Sequence, residues 1–172
     1  MAALIHYFVD GSSIAQKSAA YAVAKAINRT IVSQWSARIR VSDPQTNQYA
    51  ELVAIREACA DIQTHHPNDP NITIYSDSDY AIKCITLWGP TWKAQGWRRK
   101  AGGGGKPLEH LGVIGPLVDF VEANKERVRF EHVRAHQLAA QSKIYPYSGN
   151  ALVDRLARAS ANAIDIDTNS PV

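Results

Sequence analysis

Asp10, Glu51, Asp77 and Asp154 each sit in a short, distinctive setting: Tyr7-Phe8-Val9-Asp10-Gly11-Ser12, Thr46-Asn47-Gln48-Tyr49-Ala50-Glu51, Tyr75-Ser76-Asp77-Ser78, and Gly149-Asn150 with Asp154 further along. Asp10 and Asp77 directly follow runs that read as β-strands, while Glu51 and Asp154 fall within or at the start of helical patterns. Carboxylates that end or interrupt apolar elements are costly to desolvate unless something positive meets them. Brought together they raise one another's pKa and cannot all ionise without a counter-charge. Hard oxygen donors with few His or Cys beside them favour Mg2+ or Mn2+ over zinc. Two such ions about 3.5–4 Å apart can activate water and stabilise a departing oxygen during in-line phosphodiester displacement. Taken singly, each acid reads as readily as a helix cap or a solvated surface charge. Only the set argues for one metal site.

The elements that must position these acids can be read from periodicity. Leu4 to Val9 alternates, Ala20 to Ile27 is small and apolar, and Thr30 to Val41 alternates again with Ile31, Ser33, Trp35, Ala37, Ile39 and Val41 on one face. Turn-like segments at Gly11-Ser12-Ser13 and Asn28-Arg29 join them into an antiparallel meander. Tyr49 to Thr64 switches to helical period, with Leu52, Ile55, Cys59 and Ile62 on one stripe, and Pro67 and its Asn-rich neighbours end it. Ile72 to Ser76 reads as a buried strand, Asp79 to Trp88 as a short helix and Pro107 to Asn124 as a longer one. Val128 to Val133 is the last strand and Gly149 to Ala163 the last helix. The order predicts an α/β protein with a five-stranded mixed sheet, three strands antiparallel and two parallel, flanked by helices. Functional groups in such sheets gather at strand ends and adjoining helix termini. If the first and fourth strands are parallel neighbours, Asp10 and Asp77 lie side by side. Asp154, placed in the first turn of its helix, would be favoured by the macrodipole.

Composition bounds the rest. At 172 residues, 45% hydrophobic and 20% charged, the chain suits a single domain over residues 1–164 with a disordered tail, 165–172. No apolar run approaches the roughly 20 residues that span a bilayer. The start lacks a basic n-region, so an intracellular protein, cytoplasmic or nuclear, is expected rather than a secreted one. Cys59 and Cys84 read as small buried hydrophobes. Net charge is only +3, yet Lys93, Arg98, Arg99, Lys100 and Lys106 are interleaved with Trp92 and Trp97 without an intervening acid. That is either the footprint of a phosphate-backbone binder or a solvated basic loop.

These pieces resemble a type 1 ribonuclease H from about Ile5 to Ala163. The matching motifs are Val-Asp10-Gly-Ser, Thr-Asn47-Gln-x-x-Glu51-Leu, Ser-Asp77-Ser-x-Tyr and Gly-Asn150-x-x-x-Asp154-x-Leu-Ala. Between them, Ile-Thr-x-Trp88-x-x-x-Trp92-Lys-x-x-Gly-Trp97 is similar to the family's basic protrusion, which grips the DNA strand. The resemblance implies a ribonuclease H-like fold and endonucleolytic cleavage of the RNA strand of RNA–DNA hybrids by two Mg2+ ions, with Mn2+ a substitute. The products would carry 5′-phosphate and 3′-hydroxyl ends. It implies that Asp10, Glu51, Asp77 and Asp154 are metal ligands and that His136 assists proton transfer or product departure. Gly11, Ser12, Asn47, Gln48 and Glu51 would read the ribose 2′-hydroxyl. Thr46 would hold a DNA phosphate, and Asn150 would order the metal site. Ser12 is otherwise a turn residue, Asn47 and Gln48 part of a helix N-cap region, and Asn150 a cap of the last helix.

In the protrusion, Lys93, Arg98 and Arg99 would meet phosphates. Trp88 and Trp92 either pack it onto the body or touch substrate, and Trp97 stacks on a sugar or base. The sequence departs from the family pattern in three places. The stretch Gln137 to Gly149 is long, and it folds over the site, touches substrate or decorates the surface. Pro44-Gln45 precede Thr46 where members often carry Arg, and His110 stands where Asn is common. Gly102 to Gly105 loosens the protrusion. Two rival readings remain: an integrase-like nuclease cutting DNA duplex, and a hybrid-binding module without catalysis. A monomer is expected, either free-standing or excised from a longer polyprotein.

Overall fold

The computed structural model describes residues 2–98, 108–134 and 143–163. Strands β1 (Ile5–Ile14), β2 (Ser18–Ile27) and β3 (Thr30–Arg38) lead into helix α1 (Asn47–His65) and strand β4 (Ile72–Ser76). A segmented helical stretch follows: α2 (Asp79–Lys83), a π-helical turn (Cys84–Trp88) and α3 (Gly89–Ala94). Helix α4 (Leu111–Asn124), strand β5 (Val128–His132) and helix α5 (Tyr147–Asn162) complete the described elements. The sheet order is β3-β2-β1-β4-β5. β1, β2 and β3 pair antiparallel, whereas β1 with β4 and β4 with β5 pair parallel. This is the mixed five-stranded sheet expected from the element order.

Strand alternation divides the interior. Ile5, Tyr7 and Val9 of β1 enter the larger core with Leu52, Ile55 and Ile62 of α1 and Ile114 and Leu117 of α4. Phe8 points the other way, into a smaller core with Val153 and Ala157 of α5. β2 meets α5 with Ala22, Ala24 and Ala26, all fully buried. Small side chains on both surfaces let α5 lie close to the sheet. Gly149 makes that approach closest, because a Cβ there would stand 2.5 Å from the Phe8 ring. Cys59 and Cys84 are buried and unpaired, as small hydrophobes. Among the described residues no helix is long and apolar enough to cross a membrane.

Several boundaries differ from the periodicity. Gly11, Ser12 and Ser13 are not a turn; they extend β1 and pair with Tyr21, Ala20 and Ala19. The turn lies at Ala15 and Gln16, both at positive φ. Pairing along the whole length of β2 outweighs the turn preference of Gly and Ser. β3 ends at Arg38, so Ile39 is buried after the strand while Val41 is almost wholly exposed. The expected short helix from Asp79 continues through the π turn to Ala94, since Pro90 at the start of α3 needs no amide partner. α4 begins at Leu111 rather than Pro107, behind His110 at φ 60°. α5 begins at Tyr147, so Asp154 is two turns inside it rather than in its first turn, and the macrodipole does not account for that acid.

The described end of the long segment before α5 docks away from Asp10. Tyr145 hydrogen-bonds His6 through its hydroxyl and sets its ring edge-on to Phe8, centroids 5.5 Å apart. The Arg29 guanidinium lies 5.7 Å from the Tyr145 centroid. These partners belong to the start of β1 and the β2–β3 turn, not to the acid cluster. Gln137 to Ser142 lie outside the described residues, as do Gly102 to Gly105 and the tail.

Candidate active site

β1 and β4 run parallel with Val9 opposite Ser76, so the next residue of each, Asp10 and Asp77, emerges at the same end of adjacent strands. Asp10 shares the parity of Phe8 and faces the α5 side, where Asp154 resides. Glu51 arrives from the opposite face of the sheet. Its approach depends on Gly11, where a Cβ would lie 2.4 Å from the Glu51 backbone nitrogen and 2.7 Å from Ala50 Cβ. The Thr46 hydroxyl fixes the start of α1 by accepting from the Tyr49 amide at 3.2 Å, which sets Glu51 one turn inside the helix.

Asp10, Glu51 and Asp77 each offer a carboxylate oxygen within 4.8 Å of the other two. Asp10 and Glu51 are buried. Glu51 Oε2 is buried without a hydrogen-bond partner, an arrangement that leaves an acceptor aimed at nothing in the protein. Burial, then the charge of Asp77, raises the pKa of Asp10 to about 8, although the Gly11 amide donates to its Oδ1 at 2.9 Å. Burial followed by the charges of Asp10 and Asp77 pushes the Glu51 carboxyl well up. Three acids held this close favour protonation or a cation. An all-oxygen donor set with an orphaned buried oxygen fits a hard divalent metal ion.

Asp154 lines the same cleft but stands outside the close trio; Arg158, one turn on, donates to its Oδ1 at 3.2 Å. The cleft encloses about 430 Å³ and is also lined by Gly11, Ser12 and Asn47, each expected at the substrate. Ser13, Arg158 and Asn162 line it too. The sequence reading missed these; for Arg158 the signal was available, since a cation four residues after an acid on a helix shares its face.

Other expected residues lie elsewhere. Thr46 is the cap of α1, and Gln48 is exposed and does not line the cleft. Asn150 is buried in the first turn of α5 and neither lines the cleft nor caps the helix, whose N-cap is Pro146. The Lys93 ammonium is held by Asp119 at 2.9 Å and Glu122 at 2.8 Å, both on α4. Trp92 and Trp97 pack against the larger core. Trp88, by contrast, is exposed and lines a separate cleft with Tyr80 and Trp92. Arg98 is exposed. His136 and Arg99 lie outside the described residues. Beside Thr46, Gln45 ties its loop together, donating to Arg40 O at 2.7 Å and Asp43 O at 3.0 Å and accepting from the Ala19 amide at 2.9 Å. The His110 ring lies 5.2 Å from that of Tyr49.

The fold agrees with comparisons to known proteins. The sequence model of the RNase H family matches residues 3–162. Ribonuclease HI of Streptomyces coelicolor is 30% identical over 118 residues, 69% of this chain and 43% of that protein. Human Ribonuclease H1 is 31% identical over 123 residues, 72% of this chain and 38% of that protein. The chain thus matches less than half the length of either relative. A foamy viral protease-reverse transcriptase, solved in complex with RNA/DNA hybrid, superposes with a TM-score of 0.75 at 23% identity, covering 94% of this chain and 20% of that one. With the family model matched over residues 3–162, the chain belongs to the RNase H family.

Proposed function

We propose that the chain is an endoribonuclease that hydrolyses the RNA strand of RNA–DNA hybrids, leaving 5′-phosphate and 3′-hydroxyl ends. The observation that carries this reading is the trio Asp10, Glu51 and Asp77, with Asp154 on the same cleft, in a chain of this family. Asp10, Glu51 and Asp77 would hold divalent cations, Mg2+ with Mn2+ as substitute, and Asp154 would complete the set by leaving Arg158. Two such ions, when bound, supply an activated water and neutralise the oxygen that departs from phosphorus.

The protein's own groups do the rest. Cations at the site would favour the ionised forms of Asp10 and Glu51, so that both carboxylates could serve as acceptors. The Ser12 hydroxyl and the Asn47 amide, on the cleft wall, are suited to hydrogen-bond a ribose 2′-hydroxyl, the group that separates RNA from DNA. Arg158 offers positive charge beside the scissile phosphate. His136 is assigned to proton transfer or product departure. Trp88, Arg98 and Arg99 are assigned to the DNA strand, whereas the ion pairs of Lys93 and the packing of Trp92 and Trp97 favour a role in holding the protrusion in place. Residues 1–164 form the catalytic unit, acting as a monomer inside the cell.

Cleavage of end-labelled RNA–DNA hybrid, RNA duplex and DNA duplex, with Mg2+, Mn2+ or chelator, tests the proposal. Hybrid-selective, metal-dependent cutting of the RNA strand is expected; cutting of DNA duplex alone overturns it.

A further inference from the structure

The three acids of the close trio are not held alike. Asp10 lies inside β1, where it pairs with Ala22 and the ladder runs on to Ile14. Glu51 sits inside α1. Asp77 belongs to neither a strand nor a helix, since β4 ends at Ser76 and α2 starts at Asp79. It also repels the other two, and its charge contributes to the raised pKa of both Asp10 and Glu51. A carboxylate on so short a connection, facing two others, moves away from them unless its backbone is fixed.

The neighbouring strand supplies a group that fixes it. β5 pairs parallel with β4 as far as Ser76 opposite His132, and the Val133 amide extends the pairing by donating to Ser76 O at 2.9 Å. One residue beyond that last pair, His132 Nε2 lies 3.1 Å from the Asp77 carbonyl oxygen. A carbonyl only accepts, so the imidazole carries a proton on Nε2 and donates it to this bond. The ring thereby adds one more rung after the strands end. On the other side of Asp77, Ser76 Oγ accepts from the Ser78 amide at 3.1 Å, and Ser78 Oγ accepts from the Ala81 amide at 3.1 Å. Those bonds tie the connection to the start of α2. Ser76 is fully buried whereas His132 is exposed, so burial of the imidazole does not account for its placement against Asp77.

We propose that His132 is a positioning residue for Asp77: its Nε2–H, bonded to the Asp77 carbonyl, holds that carboxylate within metal-binding distance of Asp10 and Glu51. The consequence for catalysis rests on the metal-dependent cleavage reading. The bond reaches the backbone of the ligand rather than its carboxylate, so it sets where the charge stands and leaves both oxygens free for a cation. A trio already held together against its own repulsion binds a divalent ion without first being gathered, and the gain is one of preorganisation.

The test is Mg2+ binding by titration calorimetry, in the absence of nucleic acid, to the full chain and to His132→Leu and His132→Gln. Leu keeps bulk at the position without a donor, while the Gln amide can donate to the same carbonyl; His132→Ala replaces the Leu variant if that chain does not fold. The Leu variant should bind Mg2+ about tenfold more weakly, with a metal-free Tm close to that of the unaltered chain, and the Gln variant should recover most of the affinity. In cleavage assays the Mg2+ concentration for half-maximal rate should rise by the same factor in the Leu variant while KM for hybrid stays unchanged. Unaltered Mg2+ affinity in the Leu variant overturns the proposal, as does a Gln variant as weak as Leu, since the hydrogen bond would then not be the cause. A raised KM for hybrid at unaltered Mg2+ affinity also overturns it and makes His132 a substrate contact. If the unaltered chain binds Mg2+ but cuts no hybrid, the cleavage reading fails, and the calorimetry alone decides the role of His132.

Discussion

Asp10 is buried at an electrostatic cost that has a functional explanation. Its carboxyl is buried against Glu51 and Asp77, which raises its pKa to about 8. Replacing it with Asn removes the repulsion while keeping the shape and the acceptor for the Gly11 amide. Asp10→Asn should therefore stabilise the metal-free protein by about 2 kcal/mol at pH 8 and abolish cleavage. Thermal melting in chelator beside a hybrid-cleavage assay checks both halves; a lower Tm with full activity contradicts both. Arg158 belongs to the same scale. Its guanidinium pairs with Asp154, which faces the same cleft but stands outside the close trio.

At the scale of elements, the site depends on two contacts that admit no side chain. Gly11 lets α1 deliver Glu51 from one face, and Gly149 lets α5 deliver Asp154 from the other. At Gly149 a Cβ meets the ring of Phe8, which is wholly buried between the sheet and α5. Gly149→Ala should lower stability by about 1–3 kcal/mol through overpacking and reduce kcat by shifting Asp154. Phe8→Leu in the same chain should recover part of both. Melting and steady-state kinetics on the single and double variants decide it: equal activity in all three would show that the seat of α5 does not position Asp154. The strand boundaries were only partly legible in the sequence. Gly11-Ser12-Ser13 carries turn chemistry, yet ten-residue pairing between β1 and β2 dominates a local preference. The π turn at Cys84–Trp88 has no distinct periodic signature, and the sequence could not place it.

For the whole molecule, the acid cluster couples stability to pH and metal. Burial and the neighbouring acids raise the Asp10 carboxyl in the folded state to about 8, against an ordinary value of 3.8. Between those limits the folded state binds more protons than the unfolded one. Its contribution is fully present below about pH 4 and is lost as pH rises towards 8. Chelated protein should therefore have a Tm that falls from pH 5 to pH 9, with a slope that Asp10→Asn reduces. Divalent metal should raise the Tm most at the alkaline end, where the acids are ionised and ready to bind it. Differential scanning calorimetry over that range, with and without Mg2+, measures this; a metal-free Tm that rises steadily with pH would contradict it.

The sequence by itself determined the element order, the mixed sheet, and the identities of the acids, because apolar periodicity and motif spacing are local properties. The adjacency of Asp10 and Asp77 was legible once β1 and β4 were taken as parallel neighbours, and the register confirms it. Tertiary structure alone decided which acids actually meet. Asp10, Glu51 and Asp77 form the close trio while Asp154 turns to Arg158; that choice depends on through-space packing between α5 and the sheet. Likewise Lys93, read as a phosphate ligand beside Trp92, is paired with α4 acids 26 and 29 residues away.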